Sequence, residues 1–260
     1  MAKLLNYGLD VSWSEPDLVL PDLIAEGDDL DALVSAQPDW TKPTPAPGWT
    51  IAHQIAHLAA ADANALIALQ TPDAFDAVLK QTEAAGPQHA DLEAAAGAAQ
   101  PRSALLHQWR TGRADLGAAL REVPPDHEFP WYGAQLTPAL MAPLRLMETW
   151  AHGQDIYDTL DAVHPPTTRL KHVDSLGVIG RELSFYAAQL PLPPDPFRVE
   201  LTAPDGQTWT WGPESAAQRI QRTALDFCLR ATHRRSRPET TLTAIGEDAN
   251  KWLEIARVFL

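Results

Sequence analysis

Proline-rich segments divide the first half of this chain into long stretches with helical periodicity. Residues 42–48 read Lys-Pro-Thr-Pro-Ala-Pro-Gly, and a helix cannot continue through them because each proline lacks a backbone N–H and clashes with the preceding turn. Thr50 follows in a position typical of an N-cap. Apolar residues at helical spacing then predict a helix from Thr50 to Gln70.

The same periodicity predicts further helices on either side of this one. They cover residues 21–37, a stretch from about residue 103, and a stretch that opens at Thr137-Pro138 and ends near residue 160. Pro143 lies inside the last pattern, so that helix is expected either to kink there or to start later. Amphipathic helices in this order predict an all-α N-terminal domain over residues 1–165, folded as an up-and-down four-helix bundle.

The pattern changes after Pro165-Pro166, which we take as the domain boundary. A helix is predicted over 170–190, and two β-rich runs at 197–202 and 208–211 flank Pro-Asp-Gly and predict a hairpin. A helix over 214–232, a strand over 240–244 and a last helix over 248–259 complete the prediction. Residues 166–260 are therefore predicted to form a small α+β domain.

The charge balance excludes several classes of partner. Acidic residues number 34 against 20 basic ones, for a formal net charge of -14, which argues against a nucleic acid or an anionic membrane as partner. No apolar run resembles a signal peptide or a membrane span. The single cysteine, Cys228, excludes an internal disulfide and fits a reducing cytoplasm. Its apolar helical surroundings predict a buried structural thiol rather than a nucleophile.

The pair Glu148 and His152 is the strongest chemical signal in the sequence. Residues four apart lie on one face of a helix, where a carboxylate and an imidazole can share a divalent cation. His57, from another predicted helix, would supply a third ligand, and three protein ligands leave a coordination position open, as in catalytic zinc sites. The spacing by itself also fits a solvated surface pair, so both interpretations stay open at this point.

Three polar residues near these candidates allow two interpretations each. Asp155 can orient the His152 ring by accepting its other N–H, or it can lie on a solvated helix face. Asp62 falls within an apolar stripe, so it is expected to be paired inside the bundle or to face a polar cavity. His53 is expected at the surface, with a place beside the metal ligands as the alternative. It begins a pattern like that of zinc proteases, but the amide of Gln54 stands where those enzymes need a general base.

Two further groups are candidates for contacts with a ligand. Trp131 and Tyr132, just before the fourth predicted helix, can form a pocket wall or simply pack. Arg222 and Arg230 are the candidates of the C-terminal domain for binding the carboxylate of a substrate. The partner predicted by these features is a small molecule, and the sequence leaves monomer and homodimer open.

Residues 45–58 (Pro-Ala-Pro-Gly-Trp-Thr-Ile-Ala-His-Gln-Ile-Ala-His-Leu) and 145–155 (Arg-Leu-Met-Glu-Thr-Trp-Ala-His-Gly-Gln-Asp) carry a family resemblance. They resemble the metal-binding domain of mycothiol-dependent maleylpyruvate isomerases, which belongs to the DinB-like four-helix superfamily. The likeness extends through 131–133, 201–212 and 225–229 and is nearest to an uncharacterised metal-binding subgroup.

The resemblance implies a zinc ion held by His57, Glu148 and His152, a C-terminal domain similar to the sterol-carrier fold, and a low-molecular-weight thiol, mycothiol or an equivalent, as cofactor. It also implies that an arginine of the C-terminal domain assists, for which Arg222 and Arg230 are the candidates.

The function expected from these features is a zinc- and thiol-dependent isomerase or S-transferase that acts on a small electrophilic or unsaturated acid. In this hypothesis a thiolate adds to an activated double bond, allows rotation and leaves, or it attacks an electrophile and stays. Two alternatives remain. One is a non-catalytic metal-binding protein whose C-terminal domain binds a small apolar ligand. The other is a metal-dependent hydrolase, with Asp62 or Asp155 as its carboxylate.

Overall fold

The computed structural model describes residues 19–258, and these form two compact units whose boundary in the chain lies between His164 and Pro165. The prediction that no signal peptide is present concerns the first residues of the chain, and these lie outside the described range. The first unit contains α1 (Leu20–Ser35), α2 (Ile51–Gln70), α3 (Pro72–Ala85), α4 (His89–Ala98), α5 (Arg102–Glu122), β1 (Phe129–Trp131), β2 (Ala134–Leu136) and α6 (Pro138–Thr159). Within residues 19–258, no helix combines the length and the apolar character needed to cross a membrane.

Helix α2 is the central element of the first unit. It packs against α4, α5 and α6, and α1 packs against α6. The core between these helices consists of large apolar side chains, which are Leu30, Val34, Trp40, Ile51, Ile55, Leu58, Leu105, Trp109 and Ile156. Helices α1, α2, α5 and α6 confirm the helices predicted from periodicity.

Helices α3 and α4 were not predicted. They bury one residue each, Phe75 and Ala94, and their remaining positions are partly or fully exposed. Helix α4 is rich in alanine and has no apolar stripe, so periodicity gave no signal for it. Helix α3 does carry a short stripe, formed by Phe75, Val78 and Leu79, and the sequence analysis missed it.

Helix α6 begins at Pro138, after an extended Thr137, and continues through Pro143 to Thr159. The alternative of a later start is therefore wrong. Proline at the first helical position is favoured because its N–H has no helical partner anyway. Pro143 removes one further hydrogen bond near the start of the helix, and the remaining turns maintain it.

The second unit contains α7 (Leu170–Ile179), α8 (Arg181–Ala187), β3 (Phe197–Thr202), β4 (Thr208–Trp211), β5 (Gln218–Thr223), α9 (Ala224–Ala231), β6 (Thr243–Ile245) and α10 (Glu247–Ile255). Its sheet has the strand order β4-β3-β5-β6. The β3–β4 pair is antiparallel and confirms the predicted hairpin. A strand and a last helix are present as predicted, but β6 covers Thr243–Ile245 rather than 240–244, and α10 ends at Ile255, short of the predicted end at residue 259.

Two predicted helices of this unit are wrong in part. The segment 214–232 is helical only over α9, because β5 precedes it and pairs in parallel with β3 along its whole length. The segment 170–190 is interrupted at Gly180, where a Cβ atom would lie 2.6 Å from the backbone oxygen of Arg257. The close approach of another backbone requires glycine at this position.

Cys228 and Asp174 form a polar contact in the interior of the second unit. Cys228 is fully buried, as predicted, and its Sγ donates to Asp174 Oδ1 at 3.0 Å. The other carboxylate oxygen of Asp174 is buried, with no hydrogen-bond partner among the described residues. Burial raises the pKa of Asp174 well above its ordinary value, and the hydrogen bond with Cys228 only partly offsets this.

We expect Asp174→Asn to stabilise the protein near neutral pH. Because the pKa is raised in the folded state, the folded protein binds more protons than the unfolded one as the pH rises above about 4, and stability falls through this window. Asparagine keeps an acceptor for Cys228 and has no charge to bury. The expected gain is at least about 1 kcal/mol in urea unfolding at pH 7, because a shift of one pKa unit already corresponds to about 1.4 kcal/mol.

The gain from Asp174→Asn should shrink towards pH 4 and vanish below it, where the wild-type carboxyl is protonated in both states. Asp195→Asn, at an exposed position outside the helices and strands, is the control and should change stability by less than about 0.5 kcal/mol. A lower stability of Asp174→Asn at pH 7 would contradict the assignment of a destabilising buried carboxyl.

Candidate metal centre

The facing surfaces of α2 and α6 bring His57, Glu148 and His152 together. His57 Nε2 lies 3.3 Å from Glu148 Oε2, and His152 Nε2 lies 3.2 Å from the same oxygen. One ligand atom from each residue lies within 4.8 Å of the other two. The helical spacing of Glu148 and His152 places both on one face of α6, and the packing of α2 against α6 adds His57. Two nitrogen donors and one carboxylate therefore surround a common point.

The charge state of Glu148 suits a cation site. Burial raises its pKa, but hydrogen bonds from His152 and His57 outweigh this effect and hold the pKa of Glu148 well below its ordinary value. The carboxylate is therefore ionised at neutral pH. The side chains of His57, Glu148 and His152 are 19%, 23% and 13% exposed, so a small solute can reach the group from solvent.

Gln54 supports this site, and sequence reasoning missed it. Its side chain is fully buried, and its Nε2 donates to Thr44 Oγ1 at 2.9 Å and to Asp155 Oδ2 at 3.3 Å. Its Oε1 is hydrogen-bonded to His152 Nδ1. Asp155 is buried rather than on a solvated face, and its Oδ2 lies 3.9 Å from His152 Nδ1, too far for a direct hydrogen bond. Gln54 thus stands between the two residues.

Asp62 is paired inside the first unit, which is the first of its two predicted alternatives. Arg145 Nε donates to Asp62 Oδ1 at 2.8 Å, and both side chains are buried. Burial raises the pKa of Asp62, and the charge of Arg145 opposes this only in part. Arg145 Nη2 is buried without a hydrogen-bond partner among residues 19–258. The sequence analysis did not name Arg145, although a carboxylate in an apolar stripe, such as that of Asp62, needs a cation as its partner.

Trp49 and His53 lie at the start of α2. His53 Nδ1 lies 2.8 Å from Thr50 Oγ1 and accepts from the backbone N–H of Thr50 at 3.3 Å, so His53 caps this helix end. The Trp49 ring lies 5.3 Å from the ring of His57 and 5.9 Å from that of His152. Its Nε1 donates to Asp91 at 2.7 Å. Trp49 therefore covers both histidine rings, a role that the sequence analysis did not assign.

The two aromatic candidates pack around Phe75 of α3. The Trp131 and Tyr132 rings lie 5.6 and 5.4 Å from that of Phe75, and the Tyr132 hydroxyl accepts from Asn64 at 3.2 Å. Both side chains are half-buried. These contacts attach the β1–β2 hairpin to α3 and α2, and a role as pocket wall stays a prediction.

The two candidate arginines differ in their surroundings within the second unit. Arg222 is exposed on β5. Arg230 is buried on α9, and its guanidinium donates to the backbone oxygens of Leu253 and Glu254 at 2.7 and 2.6 Å. Those bonds satisfy carbonyls at the end of α10, which otherwise lack helical partners. A catalytic role for either arginine stays a prediction.

Residues 23–157, which include all three candidate ligands, match the family model described as the mycothiol maleylpyruvate isomerase N-terminal domain. The chain belongs to this family. Two relatives from Mycobacterium tuberculosis, the uncharacterized proteins MT0041 of strain CDC 1551 / Oshkosh and Rv0036c of strain H37Rv, are each 46% identical over 95% of this chain and 96% of their own length. A second model, described as wyosine base formation, matches only residues 193–244.

Among solved structures, the mycothiol-dependent maleylpyruvate isomerase matches with a TM-score of 0.57 and 18% identity, over 88% of this chain and 92% of that one. A mutant of that isomerase matches over the same shares, with the same TM-score and 17% identity. This likeness supports the fold: a helical N-terminal region followed by a region that contains a sheet. The resemblance predicted from residues 45–58 and 145–155 is therefore confirmed at the level of the family.

Proposed function

We propose that this protein is a metal- and thiol-dependent isomerase or S-transferase that acts on a small electrophilic or unsaturated acid. The observation that carries the proposal is the convergence of His57, Glu148 and His152 on one point, in a chain of the maleylpyruvate isomerase family. The solved relative is described as mycothiol-dependent, and a low-molecular-weight thiol of that class is the cofactor we propose here. The partner is a small-molecule substrate, and the active form is a monomer or a homodimer.

The three residues fit a divalent cation, for which zinc is our choice. Two imidazole nitrogens and one carboxylate oxygen form a donor set found in catalytic zinc sites, which keep one position open. Glu148 is ionised, so its charge offsets that of a cation. A bound zinc ion supplies the lowered pKa that makes a coordinating thiol a thiolate near neutral pH.

The remaining residues of the site hold and shield these ligands. Trp49 lies over both histidine rings and restricts the access of water to them, and its bond to Asp91 fixes the indole in place. Gln54 and Asp155 hold His152 from the interior. A hydrolase is less well supported, because the two nominated carboxylates are engaged, Asp62 with Arg145 and Asp155 with Gln54.

For the fold, we propose that α1, α2, α5 and α6 correspond to a DinB-like four-helix bundle. Helices α3 and α4 and the β1–β2 hairpin are additions to this arrangement. The second unit, with its four-stranded sheet and helices, is proposed to be sterol-carrier-like. Support for both proposals comes from the element order and from the family membership.

The proposed function is tested with cobalt in place of zinc. Addition of mycothiol, or of a simple thiol such as 2-mercaptoethanol, to the cobalt-loaded full chain should produce a thiolate-to-cobalt absorption band in the near ultraviolet. The loaded protein with thiol is then incubated with maleylpyruvate, and cis–trans isomerisation and thiol adducts are followed by chromatography and mass spectrometry. A cobalt spectrum that thiol leaves unchanged would contradict the proposal, whereas thiol binding with turnover of the acid supports it.

A further inference from the structure

Gln54 occupies a buried position between the segment before α2 and the inner face of α6. We propose that Gln54 is a positioning residue that keeps a proton of His152 on Nδ1, so that Nε2 is the nitrogen that binds the metal. The metal part of this proposal rests on the proposed function. The part about the His152 ring concerns the metal-free protein and stands by itself.

The orientation of the Gln54 amide follows from its two other partners. Its Nε2 has two N–H groups, and the two acceptors nearby are Thr44 Oγ1 at 2.9 Å and Asp155 Oδ2 at 3.3 Å. A flipped amide would place its oxygen against the Asp155 carboxylate, and both groups only accept. The amide oxygen must therefore face His152, where a hydrogen bond to Nδ1 is observed.

The fixed amide determines the protonation of the His152 ring. An amide oxygen can only accept, so Nδ1 must carry the proton that is shared with Gln54. Nε2 is then the ring nitrogen left for a metal, and it lies 3.2 Å from Glu148 Oε2. In the metal-free protein it shares a proton with that carboxylate, and a bound cation would take the place of this proton. The network thus prepares His152 as a ligand before any metal binds.

His57 lacks an equivalent support. Its Nδ1 is buried, with no hydrogen-bond partner among residues 19–258. The described part of the chain therefore gives the Nδ1 of one ligand histidine a fixed partner and offers no such partner to the Nδ1 of the other. If Gln54 only filled space between α2 and α6, its replacement would leave the tautomer of the His152 ring unchanged. A change of that tautomer therefore distinguishes a positioning role from simple packing.

The test uses Gln54→Met in the full chain, because methionine has a similar length and no side-chain hydrogen bond to offer. The matched control is Gln154→Met. Gln154 is also buried and hydrogen-bonded, to Asp158 at 2.8 Å and to His164 at 3.1 Å, but it does not contact the three ligands. Zinc affinity is measured by competition with a chromophoric chelator, and Gln54→Met should bind about 10–100-fold more weakly than wild type while the control changes little.

The second readout is the nitrogen-15 NMR spectrum of the histidine rings in metal-free protein. At a pH high enough for the rings to be neutral, wild type should show His152 as the Nδ1–H tautomer, and Gln54→Met should show a mixture of tautomers. If Gln54→Met does not fold, Thr44→Val removes one of the two acceptors that orient the amide and should shift both readouts in the same direction by a smaller amount.

The outcomes separate this proposal from the proposed function. Unchanged zinc affinity together with an unchanged His152 tautomer in the folded variants would overturn the role of Gln54. If wild type binds no zinc, the proposed function fails, and the tautomer of His152 in the metal-free protein still decides whether Gln54 positions the ring.

Discussion

We expect the purified protein to carry zinc and the His152→Ala variant to lose nearly all of it. Only His57 and Glu148 would remain as ligands, whereas catalytic zinc sites use three protein ligands. The same result is expected for His57→Ala. The expected loss of affinity exceeds the roughly 10–100-fold effect of residues that merely support a ligand. Metal content is measured by mass spectrometry of the elements after dialysis into metal-free buffer.

His53→Ala is the matched control for these variants. His53 lies one helical turn before His57 on α2, but its ring bonds to Thr50 at the helix start. It should therefore keep the metal content of wild type and lose only some stability, about 0.5–2 kcal/mol, as caps do. Equal metal content in wild type, His57→Ala and His152→Ala would contradict the metal site.

Arg145→Met is expected to cause the largest loss of stability among the predicted changes. It would leave the Asp62 carboxylate buried without its cation, which typically lowers the free energy of unfolding by about 3–5 kcal/mol. The combined change of Arg145→Met with Asp62→Leu removes both charges and should restore most of that loss, because apolar replacements of buried pairs are often neutral. Urea unfolding at pH 7 measures both variants.

Arg110→Met provides the comparison at the surface. Arg110 pairs with Asp31 on α1, but its side chain is 47% exposed, so water screens the interaction and the expected loss is below about 1 kcal/mol. A loss for Arg145→Met no larger than that for Arg110→Met would contradict the assignment of Asp62 and Arg145 as a buried ion pair.

The parts of this protein that the sequence predicts are those determined by near neighbours in the chain. Glu148 and His152 share a helix face because a helical turn contains 3.6 residues, so their spacing was sufficient to pair them. Thr50 and the prolines at 42–48 located the start of α2, and Pro-Asp-Gly located the hairpin. His57 could be joined to the pair only through the family resemblance, since nothing in its own segment indicates which helix it faces.

The second unit shows where local pattern fails. The segment 218–223 was predicted as helix, and it is a strand because β3 and β6 supply hydrogen bonds on both of its edges. Those bonds come from residues that are distant in the chain, so no local propensity reveals them.

The candidate metal centre also depends on both local and tertiary information. The sequence by itself determined the type of its ligands and the spacing of two of them, because one helix fixes both. Only the tertiary structure decided that Arg145 neutralises Asp62 and that Gln54, rather than Asp155, is hydrogen-bonded to the His152 ring. Both contacts depend on which faces of α2 and α6 pack together, and that packing is determined by the whole apolar core of the first unit.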